Sequence, residues 1–167
     1  MVGAKECHPN FLIRRAVTFD TPAIAGMHRD SWLEVFGAIK SYPESSAVNL
    51  WSERLWNPSV LLLIAAIDGS TVGYISSSLE VPSAEITDLF VSRHQRQCGI
   101  ARALLQHALE ALPSSGVTSV SLSVSVVNSA AIQLYVGQGF RSSGKKHLMN
   151  REGAQLCMEQ YCRSLAT

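Results

Sequence analysis

Residues 91–105 read VSRHQRQCGIARALL. Val91 closes a stretch from Ala84 that reads as a strand. Ser92 to Cys98 is polar. From Gly99 the apolar period becomes helical, with Ile100, Ala103, Leu104, Ala108, Ala111 and Leu112 on one face. A buried strand thus turns through a polar loop into an amphipathic helix. Such a junction aims several backbone amides into one small volume, and the helix dipole adds partial positive charge there. A pyrophosphate is the natural guest. Gly99 lets a phosphate approach the backbone with no Cβ in the way, and Ala101 is the next-smallest residue. Arg93, His94, Arg96 and Arg102 supply positive charge nearby. An ordinary connection with a capping glycine reads the same way. No Gly-Lys-Ser/Thr follows and only one glycine is present, so neither a Walker loop nor the dinucleotide fingerprint fits.

Outward from this stretch, the chain alternates strand and helix signals. On the N-terminal side, Ile13 to Val17 reads as a strand. Thr21-Pro22 starts a helix with the stripe Ile24, Met27, Trp32, Val35 and Phe36. A second helix begins near Pro43, turns Val48, Trp51 and Leu55 inward, and stops at Asn57-Pro58. Val60 to Ile67 and Thr71 to Leu79 flank Asp68-Gly69, a strong hairpin signal. On the C-terminal side, Val120, Leu122, Val124 and Val126 alternate with serines, as in a half-buried strand. Asn128 opens a short helix that Gly139 closes. Phe140 to Met149 and Ala154 to Tyr161 form a last strand pair. The order is strand, two helices, three strands, helix, strand, helix, two strands, which predicts an α/β fold around a mixed sheet.

The 167 residues suit one domain, and 47% apolar residues suffice for a core. With 16% charged residues and a net charge of +1, the chain carries no basic face for nucleic acid. No apolar run approaches a membrane span, and the N-terminus has no secretory pattern. Cys7, Cys98, Cys157 and Cys162 show no paired spacing, so the expectation is four reduced thiols, no metal and a cytoplasmic setting.

Residues 128–140 read NSAAIQLYVGQGF. Asn128 can cap the helix and still offer its amide to a ligand. Tyr135 lies two helical turns on, on the same face, with the small Ala131 between them. This stretch resembles the Asn-x-x-Ala-x-x-Leu-Tyr-x-x-x-Gly-Phe signature of the GNAT superfamily of acyl-CoA-dependent N-acyltransferases. Arg96 to Ala101 is similar to that family's Arg/Gln-x-x-Gly-x-Gly/Ala signature. The resemblance runs from about Ile13 to about Tyr161 and implies one N-acetyltransferase domain over 1–167, with its core at about 12–162. It implies a mostly antiparallel sheet flanked by helices, with a splayed strand pair that binds acyl-CoA. It assigns the coenzyme A pyrophosphate to the amides of Gln97, Cys98, Gly99, Ile100, Ala101 and Arg102. The preceding strand, Leu89-Phe90-Val91, carries a bulge in the family. Its backbone pairs with the pantetheine arm, and Leu89 and Val91 are the matching positions. The family often has proline where Arg93 stands and glycine where Gln97 stands.

The resemblance implies acetyl transfer from acetyl-CoA to an amine. Three demands follow: a neutral amine, a donor for the oxyanion and a proton for the thiolate. Tyr135 is the candidate for the proton, since a phenol has a pKa of about 10 against about 8.5 for a thiol. A backbone amide near Leu89 to Val91 is the candidate oxyanion donor. Glu85 reads two ways, as the base that takes the ammonium proton or as a solvated strand-end residue. In a regular strand it shares a face with Thr87, Leu89 and Val91, and Asp88 lies opposite unless a bulge flips the register. The branch that acetylates ribosomal-protein N-termini has a glutamate where Ser123 stands, so its substrate is not carried over. The N-terminal helices, with Trp32, Trp51 and Trp56, occupy the region that often lines the family's acceptor site. His28 and His107 read as surface or packing residues, and Lys145-Lys146 as a solvated turn. The expected partner is a small-molecule or peptide amine. A homodimer fits the family's habit, and nucleic acid and membrane are not expected. A non-catalytic acyl-CoA-binding domain of the same fold is the alternative.

Overall fold

Asp68 and Gly69 both take positive φ, 48° and 79°, and fold β2 (Val60–Ile67) back onto β3 (Ser70–Glu80). The structure is a computed structural model and describes residues 10–36, 44–151 and 154–165. β2 is almost wholly buried because both of its faces are covered. Leu61, Leu63 and Ala65 face one core, and Leu62, Ile64 and Ala66 face the other. Continuous apolar strands of this kind belong in the middle of a layered fold.

Seven strands form one sheet in the order β1-β2-β3-β4-β5-β7-β6. β1 is Leu12–Arg15, β4 is Ser83–Val91 and β5 is Ser119–Ser125. β6 is Arg141–Arg151 and β7 is Ala154–Ser164. Every neighbouring pair is antiparallel except β4 and β5, which run parallel. A parallel pair needs a crossover, and α3 (Ile100–Ala111) supplies it. Its Ile100, Leu104, Leu105, Ala108 and Leu109 are buried against one face of the sheet. α1 (Thr21–Phe36) and α2 (Glu44–Trp56) cover the other face through Ile24, Met27 and Trp51. α4 (Ser129–Gly137) joins β5 to β6.

This order agrees with the sequence expectation, element for element. Two details differ. Val35 is 53% exposed, so it lies off the buried stripe of α1. The start of the second helix near Pro43 lies outside the described residues, and α2 is described from Glu44. Among the described residues no helix is long and apolar enough to cross a membrane.

Asp20 pins the first strand and α1 to the sheet. Only 1% exposed, it accepts hydrogen bonds from Arg14 Nη1 (2.6 Å), Arg14 Nη2 (3.0 Å), Val17 N (2.8 Å) and Thr71 Oγ1 (2.8 Å). Burial alone would raise its pKa. Arg14, the Val17 amide and Thr71 outweigh burial and hold the carboxyl below the ordinary aspartate range. Its contribution to stability is therefore present above pH ~4 and lost as pH falls through the lowered folded-state pKa. Asp20→Asn is expected to cost about 2–3 kcal/mol, below the fully buried case because Arg14 is 33% exposed. Denaturant titrations at pH 7 and pH 3.5 check this, with the variant showing a shallower acid loss than the wild type.

Candidate active site

β4 and β5 pair only from Ser83↔Ser119 to Ile86↔Leu122. Beyond Ile86 the β4 residues continue to pair with β3, at Asp88↔Ser76, Leu89↔Ile75, Phe90↔Tyr74 and Val91↔Gly73. One edge of β4 therefore stays in the sheet while the other is left without its β5 partner. Gly73 permits the close approach of β3, since a Cβ there would lie 3.0 Å from the Phe90 carbonyl oxygen. Ser92 N donates to Val72 O at 2.9 Å, toward β3. Backbone groups alternate edges along an antiparallel strand. Leu89 and Val91 thus present theirs to the open side, the two positions that the family resemblance assigns to a pantetheine arm.

The β4 register shifts between Ser76 and Ser77, where Asp88 and Ile86 are successive partners and Thr87 is the extra residue. This β-bulge corrects the expected faces. Ala84, Ile86, Leu89 and Val91 pack toward α3, whereas Phe90 packs toward α1 and α2. Alternation puts Glu85 on the α1/α2 side as well. Asp88 is there too, bonded to residues of both helices. Glu85 therefore shares a face with Asp88 and not with Leu89 and Val91. One inserted residue inverts every side chain beyond it.

The polar loop forms a short 3-10 turn at Arg93–Gln95 before α3. Gly99 caps α3 at φ 82°, and the first helical bond runs from Ala103 N to Gly99 O at 3.0 Å. The amides of Ile100, Ala101 and Arg102 precede the ladder, which suits them to an anion. Gln97 also takes a left-handed φ, 64°, without being a glycine. The family often has glycine at this position.

Arg96 behaves differently from the expectation of a phosphate-facing charge. Its Nε donates to Val91 O at 2.9 Å, and its Nη2 reaches both oxygens of Glu34, at 3.0 and 2.8 Å. The guanidinium also lies 5.0 Å over the Phe90 ring. Glu34 on α1 has a second cation, Arg93, at 3.7 Å. Glu34 was not singled out from the sequence, because nothing local marks an α1 acid as a partner of the loop. A cleft of about 420 Å³ opens here between α1 and the end of β4, with Glu34, Phe90, Ser92, Arg93 and His94 in its walls. Cys98 is disulfide-bonded, which corrects the expectation of four reduced thiols, whereas Cys157 and Cys162 are free. Spacing along the chain carries no pairing information of this kind.

Asn128 caps α4 as expected, its Oδ1 accepting from Ala131 N at 3.1 Å. Tyr135 is 9% exposed and packs edge-on to Phe140 at 5.9 Å. Burial pushes its phenol up to about 12.

On the other side of the bulge lies a cluster that the sequence reading missed. His28 Nδ1 is 3.2 Å from Tyr74 Oη and 3.5 Å from Asp88 Oδ1. Arg54 Nη1 holds Asp88 Oδ2 at 2.9 Å and lies 4.8 Å over the Trp51 ring. Trp51 contacts both His28 and Tyr74 edge-on. Burial would raise the Asp88 pKa, but His28, Thr87 and Arg54 hold it below the usual range, so it stays ionised at neutral pH. His28 is thus part of an interior polar cluster, not a surface residue. His107, by contrast, bonds Ala103 O on its own helix.

The parted parallel strands, the bulge, the amide-rich loop and the Asn-to-Tyr helix define an acyl-CoA-type transferase scaffold. The chain belongs to the acetyltransferase (GNAT) family, whose model matches residues 24–140, and it is an acyltransferase by that membership. It is 30% identical over 146 residues to the L-amino acid N-acetyltransferase AaaT of Escherichia coli (strain K12), covering 83% of this chain and 88% of that protein. The solved ribosomal-protein-alanine N-acetyltransferase from Brucella melitensis superposes with a TM-score of 0.80 at 26% identity, covering 92% of this chain and 99% of that one. The fold is also that of yncA from Salmonella typhimurium, solved with its cofactor acetyl-CoA (TM-score 0.80, 19% identity, 95% of each chain).

The two left-handed residues of the loop carry opposite expectations. Gly99→Ala costs about 1–2 kcal/mol through the backbone alone, since nothing lies within 4 Å of the added Cβ. Gln97→Gly leaves stability unchanged or raises it by up to about 1 kcal/mol, because glycine tolerates that φ. Paired thermal unfolding curves measure both.

Proposed function

We propose that the protein is an N-acetyltransferase that moves an acetyl group from acetyl-CoA directly to a primary amine of a small molecule or peptide. The observation that carries this reading is the parting of β4 from β5 directly before a loop whose helical amides precede the ladder. A thioester-bearing arm would bond along the open edge of β4, at Leu89 and Val91. Its diphosphate would rest on the amides of Gln97 to Arg102. The thioester supplies the activated acetyl group. Everything else asked of the protein is position, charge and one proton.

The Leu89 amide is the assigned donor for the carbonyl oxygen as negative charge develops there. Tyr135 is the assigned proton source for the departing sulfur. Its raised pKa supports that role, because the phenol stays protonated wherever the assay is practical. Glu85 remains the proposed base, now on the same face as Asp88, and a water between Glu85 and the amine fits a strand-end position. Asp88 is a poor base, since Arg54 and His28 favour its ionised form. The amine enters on the α1/α2 side, where Glu85, Asp88 and the aromatic rings lie. The name of the AaaT relative points to amino acids, and that of the Brucella melitensis protein to a peptide N-terminus. Ser123 weighs against the second.

Calorimetry with coenzyme A and an amine panel followed by thiol release test the reading. Binding without amine-dependent release would reduce the protein to an acyl-CoA-binding domain, and absence of binding would remove the proposal. Tyr135→Phe is expected to lower kcat by about 10²–10⁴-fold with little change in coenzyme A affinity. In the wild type kcat should rise with pH as the amine loses its proton and hold through pH ~10, since the phenol ionises only near 12. A falling limb near pH 9 that persists in Tyr135→Phe would contradict the assignment, because the group that loses its proton there would then not be the phenol.

A further inference from the structure

We infer that Glu34 and Arg96 form a clamp that holds the loop in its anion-binding shape, so that an acid on α1 is a positioning residue for coenzyme A. The inference rests on the proposed use of that loop. Gln97 stands at φ 64°, a left-handed conformation that costs an L-residue with a side chain about 1–2 kcal/mol. Such a conformation persists only where its surroundings over-determine it. Arg96, the residue before it, supplies part of that determination, beside the disulfide-bonded Cys98 that follows. Arg96 is fixed at three points: by the Val91 carbonyl at 2.9 Å, by both Glu34 oxygens at 2.8 and 3.0 Å, and by the Phe90 ring at 5.0 Å. Arg96 bonds the Val91 carbonyl through Nε and the Glu34 carboxylate through Nη2 at once, which the single ammonium nitrogen of lysine does not reproduce. The clamp therefore ties the end of β4, the loop and α1 together immediately before the strained residue.

The sign of the effect separates this role from simple electrostatics. Glu34 lies beside the loop that would take a diphosphate. If it acted only through its charge, removing it would lessen repulsion, release Arg96 and tighten coenzyme A. A clamp predicts the reverse. Glu34→Gln is expected to weaken coenzyme A by about two- to fivefold, the upper part of the range for a well-formed but partly exposed ion pair. It should also speed amide hydrogen exchange across residues 93–99 in the protein without ligand. Gln97→Gly removes the strain that the clamp opposes. In the double variant Glu34→Gln/Gln97→Gly, coenzyme A affinity should return to within about twofold of Gln97→Gly alone.

Calorimetric Kd values for coenzyme A and hydrogen exchange on the wild type, the two single variants and the double variant decide the matter. Tighter binding in Glu34→Gln overturns the clamp. So does unchanged exchange, or a loss of affinity that Gln97→Gly does not rescue. A wild type that fails to bind coenzyme A, with exchange still faster in Glu34→Gln, overturns the proposed function and the clamp's service to that ligand together. Weakened affinity, faster exchange and rescue together support it.

Discussion

Two parallel strands that stop pairing after Ile86 and Leu122 are the constraint on which the rest of the structure depends. Backbone amides and carbonyls in a protein interior must find partners. A strand that leaves its neighbour therefore offers its freed edge to whatever can bond there. The crossover through α3 makes the pair parallel, and the loop that begins the crossover opens at the same end of β4 where the edge is exposed. A ligand with a diphosphate at one end and an amide-bearing arm behind it matches both features at once. The bulge at Thr87 falls just past the last β4–β5 pair, so the strand changes facing where the cleft begins.

That change of facing links the cleft to the helical layer. Asp88, turned toward α1 and α2, takes Arg54 from one helix and His28 from the other. Six residues further along α1, Glu34 takes Arg96 from the loop. The same helix thus bears on β4 at its bulge and on the loop beyond its end. Asp20 anchors the start of α1 to β1 and β3 through Arg14 and Thr71. α1 is consequently held near its start, middle and end by charged contacts, while Ile24 and Met27 supply the apolar packing. Charge fixes its register, because a shifted helix would strand buried carboxylates without their cations.

Much of this was legible in the chain, for reasons that can be named. Local signals have short range. Asp-Gly forces a tight turn, the switch of apolar period at Gly99 marks a helix start, and Asn128 carries its own cap. The long signature from Asn128 to Phe140 and the shorter one at Arg96 to Ala101 then tied these elements to one family. What was missed at the site involved partners distant in sequence. Arg96 looked like a charge for phosphate because its acid lies 62 residues away. His28, read as a surface or packing residue, does pack on Trp32 and Trp51, but its bond to Asp88 was hidden because Asp88 comes from another layer. The face of Glu85 stayed open between a regular and a bulged strand, because a bulge leaves no mark in an alternating pattern.

The sequence alone determined the order of elements, the strand-loop-helix junction, the caps and the identity of the signature residues. Each of these depends on interactions within a few positions along the backbone. Tertiary structure decided where β4 parts from β5, which way Asp88 faces, what Arg96 grips and how deeply the Tyr135 phenol is buried. Those outcomes depend on which surfaces are brought together and on the water they exclude, and no local pattern of residues encodes them.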